Sequence, residues 1–221
     1  MPSFAGSWHD GAVASLDDIR TKLAVAQTHE GGGGNWSNIS YEMKPPIGEA
    51  ALTQLELAQG IELPDGYRDF LLTVGNGGAG PGYGLYSLED SLEDRRDGIY
   101  SLADPFVPPT SSRDWIELRA PGMLPIYHDG CAFFGGLAVS GPARGTIWSY
   151  VEAPPGWIPY LSDSDIVGPD GEVFEMSGND SAAYARMYDA MLLPENVQGR
   201  QTFLARYESW LDGVIGASES N

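Results

Sequence analysis

Hydrophobic positions along this chain fall into two rhythms, one of three and four residues and one of two, and their order lays out the fold. Leu16, Ile19 and Leu23 share a helical face behind Ser15, with Asp18 three residues on as a capping box, which predicts a helix over about 16–27. Leu52 and Leu55 place a second helix from Glu49 to about Ala58. Leu63-Pro64-Asp65 then opens a third: Pro64 fits the first helical position without losing a hydrogen bond, and Asp65 suits the positive helix start. Tyr67, Phe70, Leu71 and Val74 form its core-facing stripe, and Asn76-Gly77-Gly78 is the expected stop.

Beyond that point the rhythm shortens. Tyr83, Leu85 and Ser87 predict a strand, Leu88–Ser101 reads as an acidic turn, and Asp104–Asp114, with three prolines, reads as a surface loop. Leu124–His128, Ala132–Ser140 and Thr146–Val151 are further strands, the last two joined by a turn at 141–145. Helical spacing returns at the end. Tyr184, Met187, Tyr188 and Met191 share a face over Ala183–Leu193, and Phe203, Tyr207, Trp210, Leu211 and Val214 share one over Gln201–Ile215, with Gly216 as its stop.

The glycines after the third helix mimic a nucleotide loop, since Gly75, Gly77 and Gly80 fit the G-x-G-x-x-G spacing. Dinucleotide binding needs a strand before that loop and a helix after it, so that the helix N-terminus meets the pyrophosphate. Here the order is reversed, and a phosphate would face carbonyl oxygens.

In order, Glu56, Leu63-Pro64, Tyr67-Arg68, Phe70-Leu71, Asn76-Gly77-Gly78 and Tyr83-Gly84-Leu85 resemble the SMI1/KNR4 (SUKH) family. Gly130-Cys131, Gly141, Gly145, Trp148 and Pro159 after Trp157 continue the likeness. The last helix, with Trp210, resembles the one that closes family members, although Ala205-Arg206-Tyr207 departs from the usual residues there. The resemblance covers about residues 45–215, with Asp163–Met191 longer than in a compact member. It implies an N-terminal extension over 1–44 with a Gly-rich joint at 31–34, one domain over 45–215 and a tail at 216–221. Whether the extension packs on the core is not fixed by the sequence. The resemblance implies an α+β fold, a mixed or antiparallel sheet packed by helices with an N-terminal helical arm, and members that serve mostly as immunity proteins binding and neutralising a polymorphic bacterial toxin. Others are regulatory scaffolds binding cellular proteins. No catalytic activity, metal or cofactor is implied.

Composition sharpens this picture at two points. Across 221 residues, 42% hydrophobic and 11% aromatic content supports a packed core. No apolar run approaches the ~18 residues of a membrane span, and no basic-then-apolar leader opens the chain. The lone Cys131 has no internal disulfide partner, which suits a reducing cytoplasm. Charge says more. Thirty-one acids against twelve bases give −19, which disfavours nucleic acid and anionic membranes and fits two readings equally, solubility in an acid-rich setting or a basic protein partner.

Candidate chemistry is thin. His9, His29 and His128 are the only histidines, and His128 with Cys131 gives two metal ligands where three or four are needed. Cys131 as a nucleophile would need His128 held on it by a third group. Asp163, Asp165, Gly168, Asp170 and Glu172 imitate a calcium loop, but its fifth and twelfth positions are Val167 and Phe174. No pair of carboxylates stands out for acid–base work. What stands out is a run from Gly145 to Ala185 with seven acids and no Lys or Arg. The expected partner-facing residues are therefore Glu152, Trp157, Tyr160, Asp163, Asp165, Asp170 and Glu172, joined by Glu89, Asp90, Glu93 and Asp94.

Overall fold

The computed structural model describes residues 15–28, 41–94, 100–111, 118–130, 133–152, 155–159, 186, 189–192 and 201–219. Four strands run as an antiparallel meander: β1 (Met123–Gly130), β2 (Phe133–Ala138), β3 (Ile147–Glu152) and β4 (Pro155–Pro159). Around it lie α1 (Leu16–Ala26), α2 (Glu49–Gln59), α3 (Asp65–Thr73), α4 (Leu88–Asp94) and α5 (Phe203–Glu219). The fold is α+β.

Each face of the sheet buries its own cluster. Leu124, Leu137 and Ile147 join Tyr67, Phe70 and Leu71 of α3 and Phe203, Tyr207 and Leu211 of α5 in the larger core. The seam between the two helices is aromatic: the Phe203 ring lies 4.8 Å from Tyr67 and 5.0 Å from Phe70, both edge to face. On the other face Met123, Ala138, Trp148 and Trp157 close around Phe106. The strand rows explain Gly135 and Gly136, where a Cβ would collide with the Tyr127 ring on one side and the Trp157 ring on the other. Any side chain there would push an aromatic residue out of the core.

Several expectations are corrected. Pro64 caps α3 and does not enter it, its carbonyl accepting from the Tyr67 and Arg68 amides. α3 ends at Thr73, before the glycines. Those glycines serve a different need, a close crossing of backbones. Gly78 bridges both Met43 and Leu85, and Leu85 bridges Tyr127, so single bridges carry the sheet past β1 where a strand was expected at 83–87. At φ 109°, with the Glu42 and Met43 backbone where a Cβ would stand, position 78 admits only glycine. Leu88–Asp94 is a helix and not a turn, because Ser87 Oγ accepts from the Asp90 amide and caps it. The 104–111 loop is anchored: Phe106 is buried edge-on against Trp148, and Ser140 Oγ donates to the Leu102 and Asp104 carbonyls. Gly216 does not stop α5, which runs on to Glu219.

The N-terminal helix packs on the core. Ile19, Leu23 and Ala26 share the larger cluster with Leu211 and Val214 of α5, and Lys22 Nζ pairs with Glu208 at 2.9 Å and Asp212 at 2.6 Å. The Gly-rich joint lies outside the described residues, as do Tyr184, Met187 and Tyr188. Ala190 and Leu192 are buried. Among the described residues, no helix is long and apolar enough to cross a membrane.

Candidate protein-docking surface

The turn between α2 and α3 is built from charge. α2 keeps Leu52 fully buried and turns Glu56 inward beside it. Glu56 Oε1 accepts from the Leu63 amide at 2.9 Å, and both its oxygens face Arg68 Nε, at 3.2 and 3.3 Å. Arg68 reaches on from α3 to Glu49 at 2.6 Å, and Glu49 together with Glu56 holds the guanidinium above its ordinary pKa. From the β2–β3 turn, Arg144 donates to the Glu62 and Leu63 carbonyls at 3.2 and 3.0 Å. A carboxylate left without Arg68 at this depth would be costly, so the network fixes how the two helices meet.

Their outer sides then enclose a groove of about 520 Å³. Thr53, Leu57 and Ile61 give it an apolar wall, and Glu62, Asp65 and Asp69 an acidic one. Leu57 is 76% exposed, the most exposed large hydrophobic residue among those described. It lies off the stripe that carries Leu52 and Glu56 inward. Arg68 is taken up by Glu49 and Glu56, and among the described residues Glu62, Asp65 and Asp69 form no ion pair.

The residues expected to face a partner are differently placed. Glu89 Oε2 accepts from Asn76 Nδ2 at 2.8 Å, while Asn76 Oδ1 accepts from the Leu88 amide, so this pair ties α4 to the end of α3. Asp90 accepts from Lys44 Nζ at 3.0 Å, and the Ser87 hydroxyl and then Lys44 hold its carboxyl below the usual range. Both acids are exposed yet engaged, and Glu93 is exposed on the same helix. Asp94 and Glu152 end α4 and β3. Trp157 is corrected: it is fully buried, 5.4 Å from Tyr150, and offers no anchor to a partner. Tyr160, Asp163, Asp165, Asp170 and Glu172 lie outside the described residues.

The motif residues hold the domain together. Leu63, Tyr67, Phe70, Leu85 and Trp148 are buried, Pro64 caps α3, and Trp210 is partly buried against Tyr41 and Tyr207. Gly77, Gly78, Gly84 and Gly130 all have positive φ. The groove was missed because it needs two helices side by side. Its one local signal was Leu57, an apolar residue out of phase with its own helix.

His128 stacks on Phe134 at 4.5 Å. Cys131 and the acids that imitate a calcium loop lie outside the described residues. Among the described residues no three His, Cys, Asp or Glu side chains gather as metal ligands would.

No curated protein and no solved structure matches this chain. The model of the SMI1 / KNR4 family (SUKH-1) matches residues 46–167, from the start of α2 through the whole sheet, taking in the Glu56 clamp and the groove. The chain belongs to the SMI1/KNR4 family.

Proposed function

We propose that this protein is an immunity protein: it binds a basic polymorphic bacterial toxin in the cytosol and neutralises it by occupying its surface, without catalysis or cofactor. Family membership supports a role in protein binding. The observation that carries the choice of partner is the charge of −19, with carboxylates such as Glu62, Asp65 and Asp69 forming no ion pair among the described residues. An inhibitor so charged gains association rate over a neutral one by roughly 10- to 1000-fold when its target is cationic. A nuclease is the kind of toxin whose substrate-binding surface has that sign.

Co-expression with toxin domains encoded beside it tests the reading. Growth should be restored by one of them and not by unrelated toxins. If none is rescued, and a cellular protein is captured reproducibly in its place, the chain is a regulatory scaffold of the same family.

A further inference from the structure

We infer that the α2–α3 groove is the docking site, and that its occupant is a cationic segment of the partner carrying one large apolar side chain between Lys or Arg residues. The inference rests on the inhibitor reading for the partner's identity, and on the groove for its chemistry.

Three observations meet at this place. Leu57 is exposed with no role in the core, while its neighbour Leu52 on the same helix is fully buried. A leucine in that position, with Ile61 beside it, offers an apolar seat of the kind that anchors an interface. Opposite it stand Glu62, Asp65 and Asp69, whose charge is not met within the described fold because Arg68 is bound to Glu49 and Glu56. The complement is a side chain that fills the apolar wall with cations flanking it. Third, both walls are fixed before any partner arrives, through Glu56 to the Leu63 amide and Arg144 to the same loop. A preformed groove loses less freedom on binding. The α4 acids are the weaker candidate, since Glu89 and Asp90 already hold Asn76 and Lys44.

Leu57→Asp separates this site from general attraction by charge. It adds a negative charge, so a partner held only by the overall field would bind as well or better. A partner seated on Leu57 binds at least about tenfold more weakly. The probe is a short peptide with a single leucine between flanking lysines, with a lysine-only peptide of equal charge as control. Both are titrated into the isotope-labelled full chain by NMR. The lysine–leucine peptide should perturb Thr53, Leu57, Ile61 and Glu62 first, and lose about tenfold in affinity with Leu57→Asp. Diffuse shifts over the whole acidic surface, or equal binding by the variant, overturn the groove. A melting curve like the wild type's confirms that the variant is folded.

A toxin rescued by co-expression gives the second arm. Leu57→Asp should fail to protect, and Glu62→Gln/Asp65→Asn/Asp69→Asn should lower the on-rate about tenfold at low salt. If that toxin is bound as tightly by both variants, the groove is wrong and the inhibitor reading stands. If the peptide maps to the groove and no toxin is bound, the groove stands and the inhibitor reading falls.

Discussion

The two sides of α3 face opposite demands. Its inner side, Tyr67, Phe70 and Leu71, meets the Phe203 and Tyr207 rings of α5 and is nearly dry. Its outer side, Asp65, Arg68 and Asp69, meets α2 across an open, charged groove. Nine residues thus serve two purposes. The inner side makes the domain stable, and the outer side leaves an interaction unmade. The difference between them is compensation: on the inner side the Tyr207 hydroxyl finds the Ala79 carbonyl, whereas among the described residues the groove carboxylates Glu62, Asp65 and Asp69 form no ion pair and Leu57 stays exposed.

Perturbing one side should leave the other unmoved, and the expected effects fall in order of size. Phe203→Ala removes the ring that joins Tyr67 to Phe70 and should cost about 3–5 kcal/mol in denaturant unfolding. Loss of under 1 kcal/mol would mean that the seam does not hold α5. Next comes pH. Burial, and for Tyr67 the Glu89 charge after it, raises both phenols above their ordinary 10.0, and the Tyr207 hydroxyl donates to the Ala79 carbonyl at 3.0 Å. The unfolded chain therefore ionises first. Stability from these groups is complete below pH 10 and falls as pH rises through the folded values, by up to about 1.4 kcal/mol per pH unit for each tyrosine. Chemical denaturation at stepped alkaline pH measures that slope, and Tyr207→Phe should reduce it.

Smaller effects belong to the outer side and the arm. Glu56→Ala strands the Leu63 amide and frees Arg68, at a cost of about 1–3 kcal/mol, whereas Glu56→Gln keeps an acceptor and should recover part of it. Equal losses for the two would show that the charge, not the acceptor, matters. Lys22→Met breaks the half-exposed pairs to Glu208 and Asp212 and should cost at most about 1 kcal/mol, less at high salt. Leu57→Asp should shift stability by no more than about 0.5 kcal/mol. A large loss there would make Leu57 part of the core and remove the contrast between the two sides.

Much of this was legible from spacing alone. The stripes of α1, α3 and α5, the Ser15 cap and the first three strands follow from local periodicity, because those elements bury one face each. What was hidden has a common cause. α4 reads as an acidic turn until Asn76 and Ser87 are seen holding its first turn. β4 is Pro155-Gly156-Trp157-Ile158-Pro159, a poor strand by propensity that exists because β3 pairs along it. Gly78 looked like a helix stop, but its reason is the backbone of Glu42 and Met43, distant in sequence. Trp157 looked like an interface anchor because aromatics among acids suggest one, and only its cross-strand neighbours reveal it as core. The groove is invisible for the same reason: neither α2 nor α3 contains it.

The most direct measurement is a titration of the rescued toxin's activity against increasing amounts of this protein. A stoichiometric inhibitor predicts a straight fall that reaches its floor at equimolar protein, fully reversed when the two are separated. Toxin that stays inactive after separation, or that is silenced by far less than an equimolar amount, would mean that this protein acts by chemistry and not by occupying its partner's surface.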